Sequence, residues 1–501
     1  MTLLKRNIAA NFAGNIWQAI MGLVFIPLYI KFMGIESYGL VGFFVTLQAM
    51  FILLDMGLSS TLTREMARLS SLPGREHEMR NLVRSLEVIY WIIAIFIGII
   101  VIISAPFIAN QWIKAGQLPS QIIEQAIRIM GFAIALQWPV SLYSGGIIGL
   151  QKQVLLNIIN ICVSTLRGVG AALILWLISP TVQAFFTWQI IISSINTCLL
   201  SLFLWHNLPK THQKPIFQKK LLAGVWRFAA GMSGISIVST ILTQMDKIIL
   251  SKMLSLEMFG YYSLAGAVAM SLYGLIRPVF VAIYPRLTQL VFRDEQDELK
   301  LLYHKSCQVM SVLILPVAIV VALFSYEILV IWTQNPVTAE RCHLLLSILI
   351  FGTALNGLMT VPYALQLAHG WTRLTLYVNL VSILILVPMI VFLTRKFGAM
   401  GGACVWVILN GGYIIITIHL MHKRLLPAEK WQWYWQDVII PFVTGILIAG
   451  IGRILLGNQL TEFMTTLYLI IISISTFGVT IFTTSTTRSW ILNKLYRFKP
   501  A

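Results

Sequence analysis

The sequence predicts an all-α integral membrane protein with fourteen transmembrane helices. Of its 501 residues, 58% are hydrophobic and only 11% are charged, about half the charged share of a soluble globular chain. The mean hydropathy is +0.83. Because one bilayer crossing takes roughly 20 apolar residues, fourteen crossings use most of the chain. This arithmetic excludes a large soluble domain.

Apolar runs of spanning length locate the helices. The runs are continuous rather than alternating, which favours helices, because an open sheet in lipid leaves backbone groups unpaired. The first run carries several Asn and Gln side chains, which makes it too polar for a signal peptide, and we expect it to be a retained helix. The expected spans are residues 11–33, 38–60, 87–109, 126–150, 154–178, 183–207, 225–254, 258–284, 307–332, 342–368, 374–394, 399–421, 437–456 and 464–487.

The net charge of +18 comes from 36 Lys and Arg against 18 Asp and Glu. Most of these cations lie in alternate connectors between spans, whereas the remaining connectors are short and poor in Lys and Arg. Since cytoplasmic loops are enriched in Lys and Arg, both termini are predicted to be cytoplasmic. Topology therefore explains the charge, and we expect no nucleic-acid partner.

The sequence contains no recognisable metal or nucleotide motif. Its five cysteines form no Cys-x-x-Cys or Cys/His cluster, and no phosphate-binding loop ending in Gly-Lys-Ser/Thr occurs. We therefore expect no disulfide framework, no metal and no cofactor. Several histidines fall at predicted inner ends of spans without the spacing of metal ligands: His206, His212, His304, His369, His419 and His422.

A short motif recurs with an offset of 221 residues. Residues 31–39 and 252–260 share a Lys, a Glu, an aromatic ring and a Gly at the same spacing, each time at a predicted external turn. Such duplication is typical of transporters built from parallel repeats related by an axis normal to the membrane. The expected organisation is a six-helix bundle over 1–207, a basic cytoplasmic linker over 208–224, a second six-helix bundle over 225–422, two additional helices over 437–487 and a cytoplasmic tail over 488–501.

The turn Gly34-Ile-Glu-Ser-Tyr38-Gly39, followed by Asp55-Met-Gly57-Leu-Ser-Ser-Thr-Leu-Thr-Arg64, resembles the polysaccharide flippases of bacteria. These belong to one superfamily with multidrug exporters and the lipid II flippase. The resemblance implies transport of a polyprenyl-pyrophosphate-linked oligosaccharide, the O-antigen or capsular repeat unit, across the bacterial cytoplasmic (inner) membrane. It also implies coupling to a sodium or proton gradient and is compatible with a polymerase partner.

Ionisable side chains inside spans are the candidates for substrate contact, because each costs at least about 2.5 to 3.5 kcal/mol at a helix centre without a partner or water. In the fifth span, one polar face ends on a mid-span arginine and is predicted to line a wet cavity. A structural arginine bonded to neighbouring carbonyls is the alternative. The residues of this face are Asn157, Asn160, Ser164 and Arg167.

The seventh span has a similar face that ends on Lys247, for which snorkelling to the interface is the alternative. Asp246 is expected to point elsewhere, because adjacent helical residues lie about 100° apart. Asp246 and Asp55 are the candidates for binding a coupling ion, although Asp55 could instead pair with Arg64. The other residues of the seventh-span face are Ser233, Ser236, Thr240 and Thr243.

The eighth span carries Arg277 beside Pro278, with three tyrosines at compatible offsets. A guanidinium group forks onto two oxygens of a pyrophosphate, and tyrosines offer faces and hydroxyls to sugars. The alternative is a kinked helix with core tyrosines and a snorkelling arginine. The tyrosines are Tyr262, Tyr273 and Tyr284. In the first span, Asn15 and Gln18 are candidates for lining the cavity, and helix packing is the alternative for them and for Asn7 and Asn11.

The predicted spans carry three cations without comparable acids, which favours an anionic cargo. These cations are Arg167, Lys247 and Arg277. The sequence thus predicts a flippase that works by alternating access. A multidrug or lipid II exporter of the same architecture is the first alternative. A membrane-embedded glycan polymerase or ligase would need catalytic groups outside, and the short predicted external connectors argue against that enzyme.

Overall fold

The computed structural model describes residues 3–219, 221, 238, 240–457, 461–484 and 488. Over these residues the regular structure is helical, apart from one isolated bridge between Lys114 and Ser255. This confirms the predicted all-α class. The chain divides into two compact units, Met1–Gly260 and Tyr261–Ala501, here called unit 1 and unit 2.

The helices of unit 1 pack against one another mainly in pairs. Helix α1 packs against α7, α3 against α6, and α5 against both α4 and α8. The helices are α1 (Leu3–Val24), α2 (Ile26–Phe51), α3 (Leu58–Ser70), α4 (Glu76–Phe107), α5 (Ser120–Gln137), α6 (Val140–Gly149), α7 (Gln153–Leu177), α8 (Val182–Asn207), the helical residues 240–253 as α9, and the start of α10 (Leu256–Ser271).

Unit 2 is centred on α12, which packs against α11, α14, α19 and α20. Segments of π-helix follow α16 at Tyr413–Thr417 and α18 at Trp433–Ile439. The helices after α10 are α11 (Tyr273–Arg293), α12 (Gln296–Leu323), α13 (Ser325–Thr333), α14 (Pro336–Leu358), α15 (Thr360–Ala368), α16 (Thr372–Gly412), α17 (Ile418–Leu425), α18 (Lys430–Gln432), α19 (Ile440–Leu455) and α20 (Glu462–Thr483).

Eleven helical stretches of the described chain are long and apolar enough to cross a membrane. One of them, Thr372–Leu425, has 54 residues and joins two helices at Gly398, where φ is 59°. The predicted fourteen also include α1 and the seventh span, of which residues 225–237 and 239 lie outside the described residues. The observed helices are therefore consistent with the predicted number.

Helix α4 shows the two faces expected of a membrane helix. Its buried face includes Tyr90, Ala94 and Ile97, each 0% exposed. The opposite face is apolar and exposed, which suits contact with lipid rather than water. Its residues include Ile92, Ile95, Phe96, Ile99 and Ile103.

Two helices of unit 1 are interrupted inside their predicted spans. The second span breaks after the 3-10 turn Ile52–Asp55, where Met56 and Gly57 have positive φ. The fourth span breaks at Pro139, between α5 and α6. Trp138 joins the two breaks, because its indole Nε1 donates to the carbonyl of Phe51 at 3.1 Å. Breaks of this kind are tolerated in membrane helices where side chains satisfy the freed backbone groups.

Candidate functional site

The Arg167 cluster lies inside unit 1 and consists of Arg167, Gln137, Gln48 and Ser193. The Gln137 side-chain oxygen accepts hydrogen bonds from Arg167 Nη1 at 3.4 Å, from Gln48 Nε2 at 3.0 Å and from Ser193 Oγ at 3.3 Å. The four residues come from α7, α5, α2 and α8. One amide oxygen thus gathers polar side chains from four helices around an arginine.

The break in the fourth span positions the side-chain oxygen of Gln137. Gln137 is the last residue of α5, two residues before Pro139. The preceding carbonyl, that of Leu136, is bound by Thr197 Oγ1 at 2.5 Å. The end of α5 is therefore fixed by side chains of α8, and the Gln137 amide is held where α2 and α7 can reach it.

Arg167 keeps its charge without an acidic partner. Among the described residues no carboxylate lies within ion-pair distance of it, and its one hydrogen-bond acceptor is the neutral Gln137. The side chain is half-buried. An intramembrane cation normally pairs with an acid or faces water, so this guanidinium retains donors with which to bind an anion in a forked geometry.

The glycines that follow Arg167 do not open space beside it. A β-carbon on Gly168 would overlap the Phe25 ring, and one on Gly170 would overlap the Trp188 ring. Trp188 Nε1 also donates to the Arg167 carbonyl at 3.2 Å. These glycines serve close packing of aromatic rings on α7, and access to Arg167 is set by other neighbours.

The other end of the predicted fifth-span face meets α1. Asn157 is 6% exposed, and its Nδ2 donates to Asn11 Oδ1 at 2.6 Å. Asn11 in turn donates to Gln153 Oε1 at 2.6 Å. The Asn157 end of this face thus forms a polar contact between α1 and α7, away from the Arg167 cluster.

The remaining predicted residues of these two helices have local or few partners. Ser164 donates to the Ile161 carbonyl at 3.0 Å, and Gln18 to the Gly14 carbonyl at 3.1 Å, both within their own helices. Asn160 is half-buried and Asn15 is exposed. Among the described residues no hydrogen bond links these four side chains to one another, and their contact with substrate stays a prediction.

In unit 2, Tyr273 begins a chain of hydrogen bonds across three helices. Its hydroxyl donates to Asn356 Oδ1 at 2.7 Å, and Asn356 Nδ2 donates to Asn410 Oδ1 at 2.7 Å. Arg277, one turn after Tyr273, is exposed and forms no ion pair with a described residue. Tyr262 is 1% exposed. The eighth span is interrupted at Leu272, so Tyr262 lies on α10, whereas Tyr273 and Tyr284 share α11 with Arg277.

Asp246 and Lys247 lie closer than the sequence suggested. The expectation that Asp246 points elsewhere is wrong, because Asp246 Oδ1 is 3.8 Å from Lys247 Nζ. The lysine folds back along α9, and its Nζ donates to the Thr243 carbonyl at 3.3 Å. A four-carbon side chain spans the angular offset between neighbouring residues. Ser233 and Ser236 of the same predicted face lie outside the described residues.

Asp55 sits at the break in the second span. Its carboxylate accepts hydrogen bonds from Ser59 Oγ at 2.8 Å, from Ser141 Oγ at 3.3 Å and from the Tyr90 hydroxyl, which is the closest of the three. These donors come from α3, α6 and α4. The carboxylate therefore links three helices where the backbone of the second span is not helical.

Gln137 and Ser193 were missed by sequence reasoning. Each is a polar residue in an apolar span, which was the available signal, but the neutral side chains drew less attention than the arginine they contact. The helix to which a polar face turns is set by tertiary packing, and one sequence does not reveal it.

Comparison with known proteins agrees with this fold. Residues 4–291 match the model of the family described as polysaccharide biosynthesis protein, and residues 232–392 match the MatE model. A Shigella flexneri protein whose name assigns it to O-antigen transport is 22% identical over 407 residues, which cover 81% of this chain and 94% of the relative.

Solved structures show the same architecture. An inward closed lipid II flippase MurJ superposes with a TM-score of 0.71 at 14% identity, covering 97% of this chain and 99% of the other. An inward-facing multidrug transporter of the MATE family superposes with a TM-score of 0.68 at 14% identity, covering 82% of this chain and 96% of the other. The two family matches identify the chain as a member of the multidrug, oligosaccharidyl-lipid and polysaccharide exporter superfamily of transporters, and the fold agrees with this. Within it, the chain belongs to the polysaccharide biosynthesis protein family.

Proposed function

We propose that this protein is a flippase that moves polyprenyl-pyrophosphate-linked oligosaccharide repeat units from the inner to the outer leaflet of the bacterial cytoplasmic membrane. The observation that carries the proposal is the Arg167 cluster, in which an intramembrane guanidinium finds a single acceptor among the described residues, the neutral amide of Gln137. A doubly charged pyrophosphate supplies the anion that such a group lacks, with two oxygens for its fork.

Family membership supports a glycan as the cargo. The matched family is described by polysaccharide biosynthesis, and the Shigella flexneri relative is named for O-antigen transport. The transport cycle we propose is alternating access between two six-helix bundles, 1–207 and 225–422, with both termini in the cytoplasm. Arg167 in the first and Arg277 in the second then act on the headgroup, while the lipid tail remains in the bilayer.

A multidrug exporter is the second candidate, favoured by the structural similarity to a MATE transporter. Cationic drugs are held by buried carboxylates. In unit 1, Asp55 has three hydroxyl donors on its carboxylate, so it is engaged in joining helices. Within the described part of the chain Arg167 and Arg277 have no acidic partner, which favours an anionic cargo over a cationic one.

The test is flipping of a fluorescent polyprenyl-pyrophosphate oligosaccharide in proteoliposomes. Arg167→Ala and Arg277→Ala are compared with the wild type and with Arg128→Ala, a matched control whose arginine is half-exposed and paired with Glu124 at 2.5 Å. Losing a charge-assisted hydrogen bond costs about 1.5 to 3 kcal/mol, so flipping by the first two variants should fall roughly tenfold or more.

Wild-type flipping rates in both Arg167→Ala and Arg277→Ala would contradict the cationic site. Efflux of a cationic dye by the wild type, with no flipping of the lipid-linked glycan, would instead establish the multidrug candidate. Lipid II presented in the same vesicles distinguishes a cell-wall precursor from an oligosaccharide repeat unit.

A further inference from the structure

A buried histidine in unit 2 is bound by two carboxylates, one on each ring nitrogen. His304 Nδ1 lies 2.5 Å from Asp437 Oδ2, and His304 Nε2 lies 3.3 Å from Glu429 Oε2. The three side chains are 8%, 0% and 16% exposed. We call these three residues the His304 bridge. It joins α12 to the turn before α18 and to the π-helical segment Trp433–Ile439, which leads into α19.

The two carboxylate contacts of His304 determine how many protons the bridge must hold. A neutral imidazole has one N–H donor, so it can donate to one carboxylate while its other nitrogen presents a lone pair. A lone pair facing a carboxylate oxygen is repulsive. Both contacts of His304 are favourable together when an additional proton is present, on the ring or on one of the carboxyl groups.

The neighbouring His422, in contrast to His304, has contacts that suit a neutral ring. His422 Nδ1 lies 3.0 Å from the Ile418 carbonyl, which only accepts, so this nitrogen carries the proton. Its Nε2 then accepts from the Tyr303 hydroxyl at 3.2 Å. His422 is fully satisfied as a neutral ring, whereas His304 is not.

The surrounding charges balance when the bridge is protonated. Lys300 Nζ is 3.6 Å from Glu429 Oε1, so an imidazolium and this lysine offset the two carboxylates. Loss of the proton leaves a net negative charge in a site where Asp437 is fully buried. The other ionisable groups around the bridge are Tyr303 and Cys307 of α12, His422 of α17 and Tyr434 of the π-helical segment. Lys430 of α18 is not counted in this balance, because its Nζ lies 2.9 Å from His419 Nδ1.

Several charged groups on the other helices that pack against α12 are bound to partners of their own. Arg286 of α11 binds Glu298 at 3.2 Å, and Arg453 of α19 binds Glu327 of α13 at 2.5 Å. The Nδ1 atom of His343 on α14 contacts carbonyls of its own helix, as does that of His369, which follows α15. These four side chains therefore do not enter the charge balance at the bridge.

We propose that the His304 bridge is a proton-binding site that controls the attachment of the segment 429–439 to α12. With the proton, both carboxylates are held on the ring. Without it, the longer contact to Glu429 opens first, because Asp437 is also bound by Gln308 Nε2 at 3.0 Å. A proton is therefore the ligand of this site, which lies at the helix that follows the second predicted bundle.

Its use in transport rests on the proposed function. If protonation of the bridge is a step of the transport cycle, the flipping rate will depend on pH over the range in which histidines titrate, about pH 5 to pH 8. Proton binding itself does not rest on the proposed function and can be measured without substrate.

The decisive variant is Glu429→Gln. The amide can donate to His304 Nε2, so a neutral ring keeps both contacts and the bridge needs no additional proton. Glu340→Gln is the matched control, since that carboxylate is exposed on α14 in the same unit. His304→Gln is a second variant that removes the imidazole ring.

The measurement is amide hydrogen exchange of residues 429–439 in nanodiscs across this pH range, corrected for intrinsic exchange rates. Protection in the wild type and in Glu340→Gln should fall as the pH rises, and protection in Glu429→Gln should not depend on pH. If Glu429→Gln keeps the wild-type pH dependence, or if the wild type shows none, the proton site is overturned.

The flipping assay then separates the two proposals. A wild type that flips the labelled glycan with the same pH profile as Glu429→Gln and His304→Gln rejects a transport role for the bridge. A wild type that flips no glycan at any pH rejects the proposed function, while the exchange measurement still decides whether the proton site exists.

Discussion

Gly39 and Gly260 occupy equivalent positions of the repeated motif and pack against each other's copy of it. A β-carbon on Gly39 would overlap the carbonyl oxygen of Leu256, and a β-carbon on Gly260 would overlap the carbonyl oxygen of Ile35. Under the offset of 221 residues, Ile35 corresponds to Leu256 and Gly39 to Gly260. The offset thus converts each of these close contacts into the other, as expected around a local twofold axis.

The first prediction concerns this glycine pair. Gly39→Ala and Gly260→Ala each place a methyl group on a backbone carbonyl that cannot rotate away. Forcing extra carbon atoms into a well-packed contact costs typically about 1 to 3 kcal/mol. Both variants should therefore unfold at a lower temperature in detergent, as measured by the thermal unfolding midpoint.

Gly266→Ala is the control for this pair. Gly266 lies on α10, as Gly260 does, and a β-carbon there would meet no atom within 4 Å. Since alanine is favoured over glycine in helices by about 1 kcal/mol, this variant should be as stable as the wild type or more so. Equal stability of Gly260→Ala and Gly266→Ala would refute the close contact.

The second prediction concerns Glu36 of the repeated motif. Its carboxylate accepts from the backbone N–H of Gly116 at 2.6 Å and of Gln117 at 3.0 Å, which anchors the connector between α4 and α5. Glu36→Ala removes both bonds and should raise amide exchange at residues 113–118. The exposed Glu340→Ala should leave it unchanged. Unaltered exchange in Glu36→Ala would show that other contacts hold this connector.

The third prediction concerns Asp55 and Tyr90. Tyr90 is 0% exposed, and its hydroxyl donates to the Asp55 carboxylate. Asp55→Ala leaves this buried donor without its acceptor, which costs about 1 to 3 kcal/mol of unfolding free energy. Once Tyr90→Phe has removed the hydroxyl, Asp55→Ala should cost less. Additive losses in the double variant would argue against direct coupling.

The fourth prediction concerns Arg453 of α19 and Glu327 of α13, whose side chains are 43% and 16% exposed. Arg453→Met leaves a largely buried carboxylate without its cation, whereas the double change with Glu327→Gln removes that charge. Breaking one partner of such a pair costs more than replacing both. The double variant should therefore unfold at a higher temperature than Arg453→Met alone. A lower midpoint would contradict this role for the pair.

Hydropathy and the repeat predicted the fold class because they report properties summed over whole helices. The turn between the first two spans was also located correctly, since Gly34 has a φ of 80° there. The break at Met56 and Gly57 was not predicted, because an apolar run continues through it. Its existence depends on side chains from three other helices that bind Asp55.

The contacts of single polar residues were harder to predict than the helices. Periodicity placed Asn157 and Arg167 on one face of α7, but α1 covers one end of that face and Gln137 meets the other. The His304 bridge joins residues separated by 133 positions in the sequence. Such pairs are fixed by which helices become neighbours, and a single sequence does not encode that in its local pattern.

The most direct measurement of the central claim uses Gln137→Glu. This change keeps the oxygen that binds Arg167, Gln48 and Ser193, and it gives the guanidinium an acidic partner without removing it. Gln125→Glu, an exposed position on α5, is the matched control. If Arg167 binds the anionic headgroup, Gln137→Glu should fold normally yet flip a labelled polyprenyl-pyrophosphate oligosaccharide roughly tenfold more slowly or worse, while Gln125→Glu flips it at the wild-type rate. Wild-type flipping by a folded Gln137→Glu protein would contradict the claim that this arginine acts through its unpaired charge.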